Sequence, residues 1–331
     1  MFLASFTYTG KDRLGVRVDD NHLIDLAEAA EVTGNSAELP HDMLELIEGG
    51  DAALNCIRSL VASQSSRRIP IADVRFRPPV PKPGKICGVA MNNSAADDRK
   101  ISAPSHPMFF LKPPSCLIGH GEEIVVRSYF GGVHPEPELA VVIGKRARRL
   151  DPNEALDAVF GYTIFNDLTG NEMRGQDMVH YYALYASTND PDTLERREQH
   201  LSYPARYKGT GGFGPIGPWL VTRDEVPDPG ALDVTCSVGG EIIAEDSTRF
   251  LTYCVAEILA FLSRFHTLEP GDIVSMGTAF RPAKNSKRSL HTADLQRREG
   301  PVTVSISGLG VLSNPVVRIS EELGEWRLVK T

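Results

Sequence analysis

The sequence predicts an α+β protein, predominantly β, with a small α/β module ahead of a larger β-rich part. Three observations predict it. Apolar runs of strand length, bounded by turns such as Gly239-Gly240, recur through most of the chain beyond residue 85. Helical spacing is confined to a few stretches. Between the two regions, Arg77-Pro78-Pro79-Val80-Pro81-Lys82-Pro83-Gly84 places four prolines within six positions, which can continue neither a helix nor a central strand.

Taken in order, residues 2–8 and 13–18 read as strands around Gly10-Lys11-Asp12. Residues 41–64 read as a helix, with Leu54, Ile57, Leu60 and Val61 at helical spacing. Together they make a small N-terminal α/β domain over 1–76, joined by the linker 77–84 to a second domain over 85–331. Strands are expected there at Ile86–Met91, Met108–Leu111, Glu123–Val126, Glu136–Ile143, Val159–Phe165, Trp219–Thr222, Leu232–Val238, Ile273–Met276, Val302–Ile306 and Val316–Ile319. Two helices interrupt them. Asp151-Pro152-Asn153-Glu154 carries a capping acid, a proline at the first helical position and a glutamate at the third, predicting a helix as far as Val159. The other runs from about Tyr253 to Phe265, with Val255, Ile258, Leu259 and Leu262 on one face. Residues 177–206 are rich in tyrosine, histidine and charge without a clear period and read as a candidate lid, with a plain surface insertion as the alternative.

Length and composition narrow the function. A chain of 331 residues allows about two domains. Its 41% hydrophobic and 24% charged content is that of an ordinary soluble globular protein. The formal net charge of -8 argues against nucleic acid or an anionic membrane as the main partner, and Arg146-Ala147-Arg148-Arg149 reads as a solvated strand end. Cys56, Cys87, Cys116, Cys236 and Cys254 are scattered, without a CxxC pair, so neither a disulfide framework nor a zinc site is expected. Met1–Tyr8 lacks a basic n-region, and no apolar run approaches membrane-spanning length. The expected compartment is the cytoplasm.

The chemistry concentrates in His134-Pro135-Glu136-Pro137-Glu138-Leu139-Ala140-Val141-Val142-Ile143-Gly144 and in Gly161-Tyr162-Thr163-Ile164-Phe165-Asn166-Asp167. Side chains alternate along a strand, so Glu136 and Glu138 point the same way, with Ala140 and Val142 continuing that face inward. Asp167 ends the next apolar strand. Acids at the ends of buried strands are costly without a partner, and a cation is the simplest one. Three carboxylates without Cys or His at ligand spacing favour a hard ion, Mg²⁺, Mn²⁺ or Ca²⁺, over zinc.

At these residues the chain resembles the fumarylacetoacetate hydrolase family. Further matches are Gly88-Val89-Ala90-Met91-Asn92, Phe109-Phe110-Leu111-Lys112-Pro113, Gly214-Pro215-Ile216-Gly217-Pro218-Trp219, Leu268-Glu269-Pro270-Gly271-Asp272, Gly277-Thr278 and Ser307-Gly308-Leu309-Gly310. The resemblance implies a mixed β-roll catalytic domain, a homodimer, and Mg²⁺ or Mn²⁺ held by Glu136, Glu138 and Asp167. It implies a small anionic 2-oxo or 1,3-dicarbonyl acid as substrate. Lys208 matches the active-site lysine, Thr278 matches the threonine that holds a substrate carboxylate, and Lys112 is placed with the substrate-binding residues. A divalent ion would chelate two neighbouring carbonyl oxygens and stabilise the enolate formed when a C–C bond breaks or a proton leaves.

Three departures from the family pattern matter. The positions of the histidine and glutamate that polarise water fall on Ala96 and Arg99, so a base has to come from elsewhere, and His134, Asp97, Asp98, His106 or 177–206 are the candidates. The arginine expected after Asp167 is replaced within Leu168-Thr169-Gly170-Asn171-Glu172-Met173-Arg174, where Arg174 can substitute. After Thr278 the small turn becomes Ala279-Phe280-Arg281-Pro282-Ala283-Lys284-Asn285, where Arg281 can clamp a carboxylate. The leading expectation is metal-dependent hydrolysis of a C–C bond. A dehydratase, decarboxylase or isomerase on the same site is the alternative, and a non-catalytic metal- and carboxylate-binding dimer the alternative of another class. Gly212-Phe213-Gly214-Pro215-Ile216-Gly217 satisfies GxGxxG, but the internal proline and the following strand exclude a dinucleotide loop.

Overall fold

The computed structural model describes residues 1–33, 39–63, 67–284 and 289–324. Ten strands of one mixed sheet carry the architecture: β1 (Phe2–Tyr8), β2 (Lys11–Arg17), β3 (His22–Asp25), β4 (Ile69–Pro70), β5 (Ile86–Ala90), β6 (Met108–Lys112), β7 (Pro137–Ile143), β8 (Val159–Asn166), β9 (Leu220–Thr222) and β10 (Ile273–Ser275). They lie in the order β4-β3-β2-β1-β9-β8-β7-β10-β5-β6, with Arg75–Phe76 as an eleventh strand paired to β1. The β10–β5 pair is parallel and the other pairs on this path are antiparallel. A second sheet of four strands stacks Glu241–Ser247, Asp233–Val238, Val302–Ile306 and Gly310–Asn314. This is an α+β fold, predominantly β.

The N-terminal strands and the strands that carry the acids share the main sheet through the β1–β9 and β9–β8 pairings. Gly161 is required at the second junction, because a Cβ there would stand 2.3 Å from Val221 O. The proline-rich segment packs against the sheet, with Pro78, Pro79, Val80 and Pro83 buried and Ser5 Oγ donating to Pro79 O at 2.7 Å.

β7 is buried along its whole length. Leu139, Val141 and Ile143 enter one apolar cluster and Ala140 and Val142 the other, so the strand separates two cores. Met43, Leu46, Ile47, Leu54 and Ile57 of helix Met43–Ala62 cover the second core. That helix breaks at Gly50, whose φ of 52° no helix accommodates. Gln64, which ends the predicted helix, and Asn285, which ends the predicted turn after Thr278, lie outside the described residues.

Some predicted elements differ. Asp151–Glu154 forms turns, and only Ala155–Ala158 winds into a short tight helix before β8 begins, because the intervening stretch is too short to propagate an α-helix. The helix at the second predicted position runs over Val255–Phe265. Residues 177–206 contain a long antiparallel hairpin, Met178–Ala186 with Leu194–Ser202, largely exposed on both faces. β3 and helix Leu26–Thr33 were not foreseen: Asp25 ends the strand and caps the helix by accepting from Ala27 N at 2.9 Å. Among the described residues no helix is long and apolar enough to cross a membrane.

Candidate active site

Antiparallel register assembles the acids. Pro137 pairs with Asn166 and Glu138 with Phe165, so Glu136 emerges beside Asp167 at the end of the pair. Asn166 Oδ1 accepts from Glu136 N, and Asp167 N donates to Glu136 O, both at 2.9 Å. One carboxylate oxygen from each of Glu136, Glu138 and Asp167 lies within 4.8 Å of the others.

Two buried lysines face them. Lys208, from the short helix Ala205–Gly209, donates to Glu136 Oε2 at 2.8 Å and to Asp167 Oδ2 at 2.6 Å. Lys112, at the end of β6, donates to Asp167 Oδ1 and, at 3.0 Å, to Phe213 O. Thr278 Oγ1 bridges Glu136 Oε2 and Glu138 Oε1 at 2.8 and 3.0 Å. Glu138 also accepts from Ser275 Oγ and from Gly277 N. Gly277, at φ 97°, has no room for a side chain: a Cβ would stand 2.9 Å from that of Asn92.

His134 is buried with both nitrogens engaged. A carboxylate only accepts, so Nε2 donates to Glu136 Oε1 at 3.1 Å, and Nδ1 accepts from Asn171 Nδ2 at 2.9 Å. Its neighbour His291, 5.6 Å away between ring centroids, lies with Nε2 3.0 Å from Arg99 Nη1. Burial, then His134 and Arg99, lowers the His291 pKa below the ordinary histidine value.

The charges are unequal in consequence. Burial alone would raise the Glu136 pKa, but Lys208 and His134 outweigh it and hold the carboxyl well below its usual range. Burial opposes the charge on Lys208, yet Asp167, Glu136 and Glu138 raise its pKa above that of an ordinary lysine. Glu138, the deepest acid, is pushed up to about 8 by burial and by the charge of Asp167. Without a further cation it holds a proton at neutral pH. Three clustered oxygen donors, one retaining a proton, suit a hard divalent ion that would replace that proton. With that proton in place the two remaining carboxylates balance the two lysines, and a divalent ion that replaces the proton leaves the set with one positive charge.

Several of these groups line a cavity of about 550 Å³. Glu136, Asp167, Lys208, Thr278 and His134 line it, as does Arg174, exposed on helix Asn171–Gln176. Two expected substrate-binding residues do not. Lys112 is sealed beneath Asp167, where it neutralises a buried charge. Arg281 lies with Asp246, donates to Ser94 Oγ at 3.0 Å and stacks over Phe250, so it ties loops together instead of facing the cavity. Of the other expected bases, Asp97 and Asp98 are exposed and His106 stacks on Phe261, and none of the three lines the cavity. His291, Asn171 and Thr169, which donates to Glu136 Oε1 at 2.7 Å, were missed. Only proximity to the Asp167 motif pointed to the last two.

The family model for the fumarylacetoacetate (FAA) hydrolase C-terminal domain matches residues 86–317. The chain belongs to this family. A maleylpyruvate hydrolase of Aquipseudomonas alcaligenes is 33% identical over 310 residues, 89% of this chain and 96% of that protein. A mitochondrial oxaloacetate tautomerase of Bos taurus is 30% identical over 281 residues, 84% of this chain and 81% of that protein. The crystal structure of maleylpyruvate hydrolase from Sphingobium sp. SYK-6, in complex with manganese(II) and pyruvate, matches with a TM-score of 0.69 and 27% identity, covering 97% of this chain and 100% of that one. Membership of the fumarylacetoacetate hydrolase family thus brings together relatives named for hydrolysis and for tautomerisation.

Two outcomes are expected. Lys112→Met removes one of the two lysines that hold the buried Asp167, leaving Lys208 as its remaining cation, and should lower stability by about 1–3 kcal/mol in urea unfolding, the usual effect of removing a hydrogen-bond partner from a buried polar group; an unchanged midpoint would contradict the structural role. Mn²⁺ affinity should rise with pH up to about 8 and then level off, because below that value the ion displaces the Glu138 proton. Calorimetry in buffers of different ionisation enthalpy reads the released proton, and a pH-independent affinity would contradict it.

Proposed function

We propose that this protein is a divalent-metal-dependent enzyme, using Mn²⁺ or Mg²⁺, that hydrolyses a C–C bond in a small 2-oxo or 1,3-dicarbonyl carboxylic acid. The observation that carries the reading is the set of three acids within 4.8 Å of one another, bonded by Lys208 and Thr278, with Glu136, Asp167, Lys208 and Thr278 lining the cavity. An ion held by Glu136, Glu138 and Asp167 would polarise two neighbouring substrate oxygens and stabilise enolate charge.

The chain's own groups perform the rest. Lys208 keeps its charge and, with the buried Lys112, makes the loaded site attract an anion. The Thr278 hydroxyl stands between Glu136 and Glu138, where it can turn to hold a substrate carboxylate. In hydrolysis, water oxygen bonds to the acyl carbon, the C–C bond breaks, and its electron pair passes to the carbon beside the 2-oxo group, which takes up a proton.

A second reading has its own support. Ala96 and Arg99 replace the water-polarising pair that the family pattern leads one to expect, and both His134 nitrogens are engaged. Keto–enol isomerisation of a 2-oxo acid requires proton transfer but no attacking water.

Proton NMR in D₂O separates the two. With Mg²⁺-loaded protein and an acylpyruvate, pyruvate and the free acid should appear, and EDTA or Glu138→Gln should abolish the reaction. Deuterium exchange beside the 2-oxo group without cleavage, faster than in the protein-free control and lost with EDTA, would favour isomerisation. Cleavage that survives EDTA and Glu138→Gln would overturn both readings.

A further inference from the structure

The cavity wall carries two guanidinium groups besides the lysine at the acids. Arg99 and Arg174 both line it, and among the described residues neither has a carboxylate within ion-pair distance. Both are exposed, so water meets their charge until an anion enters the cavity.

The two are not equivalent. Among the described residues no side-chain contact fixes Arg174. Arg99 is held from two sides: its guanidinium lies 4.7 Å over the Phe280 ring and 3.0 Å from His291 Nε2. An arginine only donates, so His291 Nε2 accepts, and the neutral ring keeps its proton on Nδ1. This part of the wall therefore presents donors and positive charge, backed by an aromatic face.

Its place relative to the acids is also fixed. Contacts run from Glu136 to His134 at 3.1 Å, from His134 to His291 at 5.6 Å between rings, and from His291 to Arg99. Arg99 thus stands apart from the group of acids, across two imidazoles.

We propose that Arg99, held by Phe280 and His291, is the specificity-determining residue that receives a second carboxylate at the far end of the substrate, so that the preferred substrates are 2-oxo dicarboxylic acids. The inference rests on the proposed action on 2-oxo acids, and it assigns the distal end of that substrate. The planar guanidinium offers two parallel donors to a carboxylate while remaining stacked on Phe280.

Matched pairs that differ by a terminal methyl and a terminal carboxylate test it. Kinetics of the Mn²⁺-loaded protein compare butanoylpyruvate with succinylpyruvate, and calorimetry compares 2-oxopentanoate with 2-oxoglutarate. Wild type should prefer the dicarboxylate of each pair. Arg99→Met should lower kcat/KM and affinity for the dicarboxylates by about 10- to 100-fold, leaving the monocarboxylates within about threefold. Arg99→Lys should retain part of the preference, and Arg99→Glu should reverse it. Selective binding without turnover of either acylpyruvate would keep the Arg99 assignment and overturn the proposed hydrolysis. Equal losses for both members of a pair, or no preference in wild type, would overturn the assignment.

Discussion

Three carboxylates and two ammonium groups, buried together where two adjacent strands end, are the constraint on which the rest of this structure depends. Moving a single ion of this size into a low-dielectric interior costs of order 20 kcal/mol in the idealised case, so Glu136 and Asp167 persist as charges only because lysines pair with them. Lys112 and Lys208 share Asp167, Lys208 also holds Glu136, and Thr278 spans Glu136 and Glu138. Glu138 remains the least compensated and holds its proton to about pH 8. The same imbalance that makes the metal-free cluster costly makes it a receptor for a divalent ion.

The fold serves this cluster by burying β7 on both faces and fixing its register with β8. A slip of one residue would turn Glu138 to the opposite face and destroy the set. The neighbouring strand β10 supplies Ser275, and the chain beyond it supplies Gly277 and Thr278. Lys208 arrives from a short helix after the exposed hairpin. Positioning is therefore divided between a rigid sheet that holds the acids and loops that bring the cations.

The acids were legible because their signal is local. Glu136 and Glu138 share a face through the strand period, and Asp167 ends the next apolar run. What escaped has physical reasons. The hairpin strands have both faces in solvent, so no alternation betrays them. Strand His22–Asp25 turns into a helix with no intervening turn residue, since Asp25 serves both elements. Asp151-Pro152 carries the marks of a helix start, but β8 begins before a helix can grow. Lys112 and Arg281 were read as substrate ligands because charge in a motif does not reveal its partner; Asp167 and Asp246 claim them in the folded chain. Arg99 and His291 meet only through tertiary structure, from segments 192 residues apart.

The most direct test of the account is anomalous diffraction at the manganese edge from crystals of the wild-type protein and of Glu138→Gln grown with Mn²⁺. The account predicts one peak per chain among Glu136, Glu138 and Asp167 in the wild type, strongly reduced in the variant. A peak elsewhere, or none at saturating Mn²⁺ with the three acids well ordered, would contradict it.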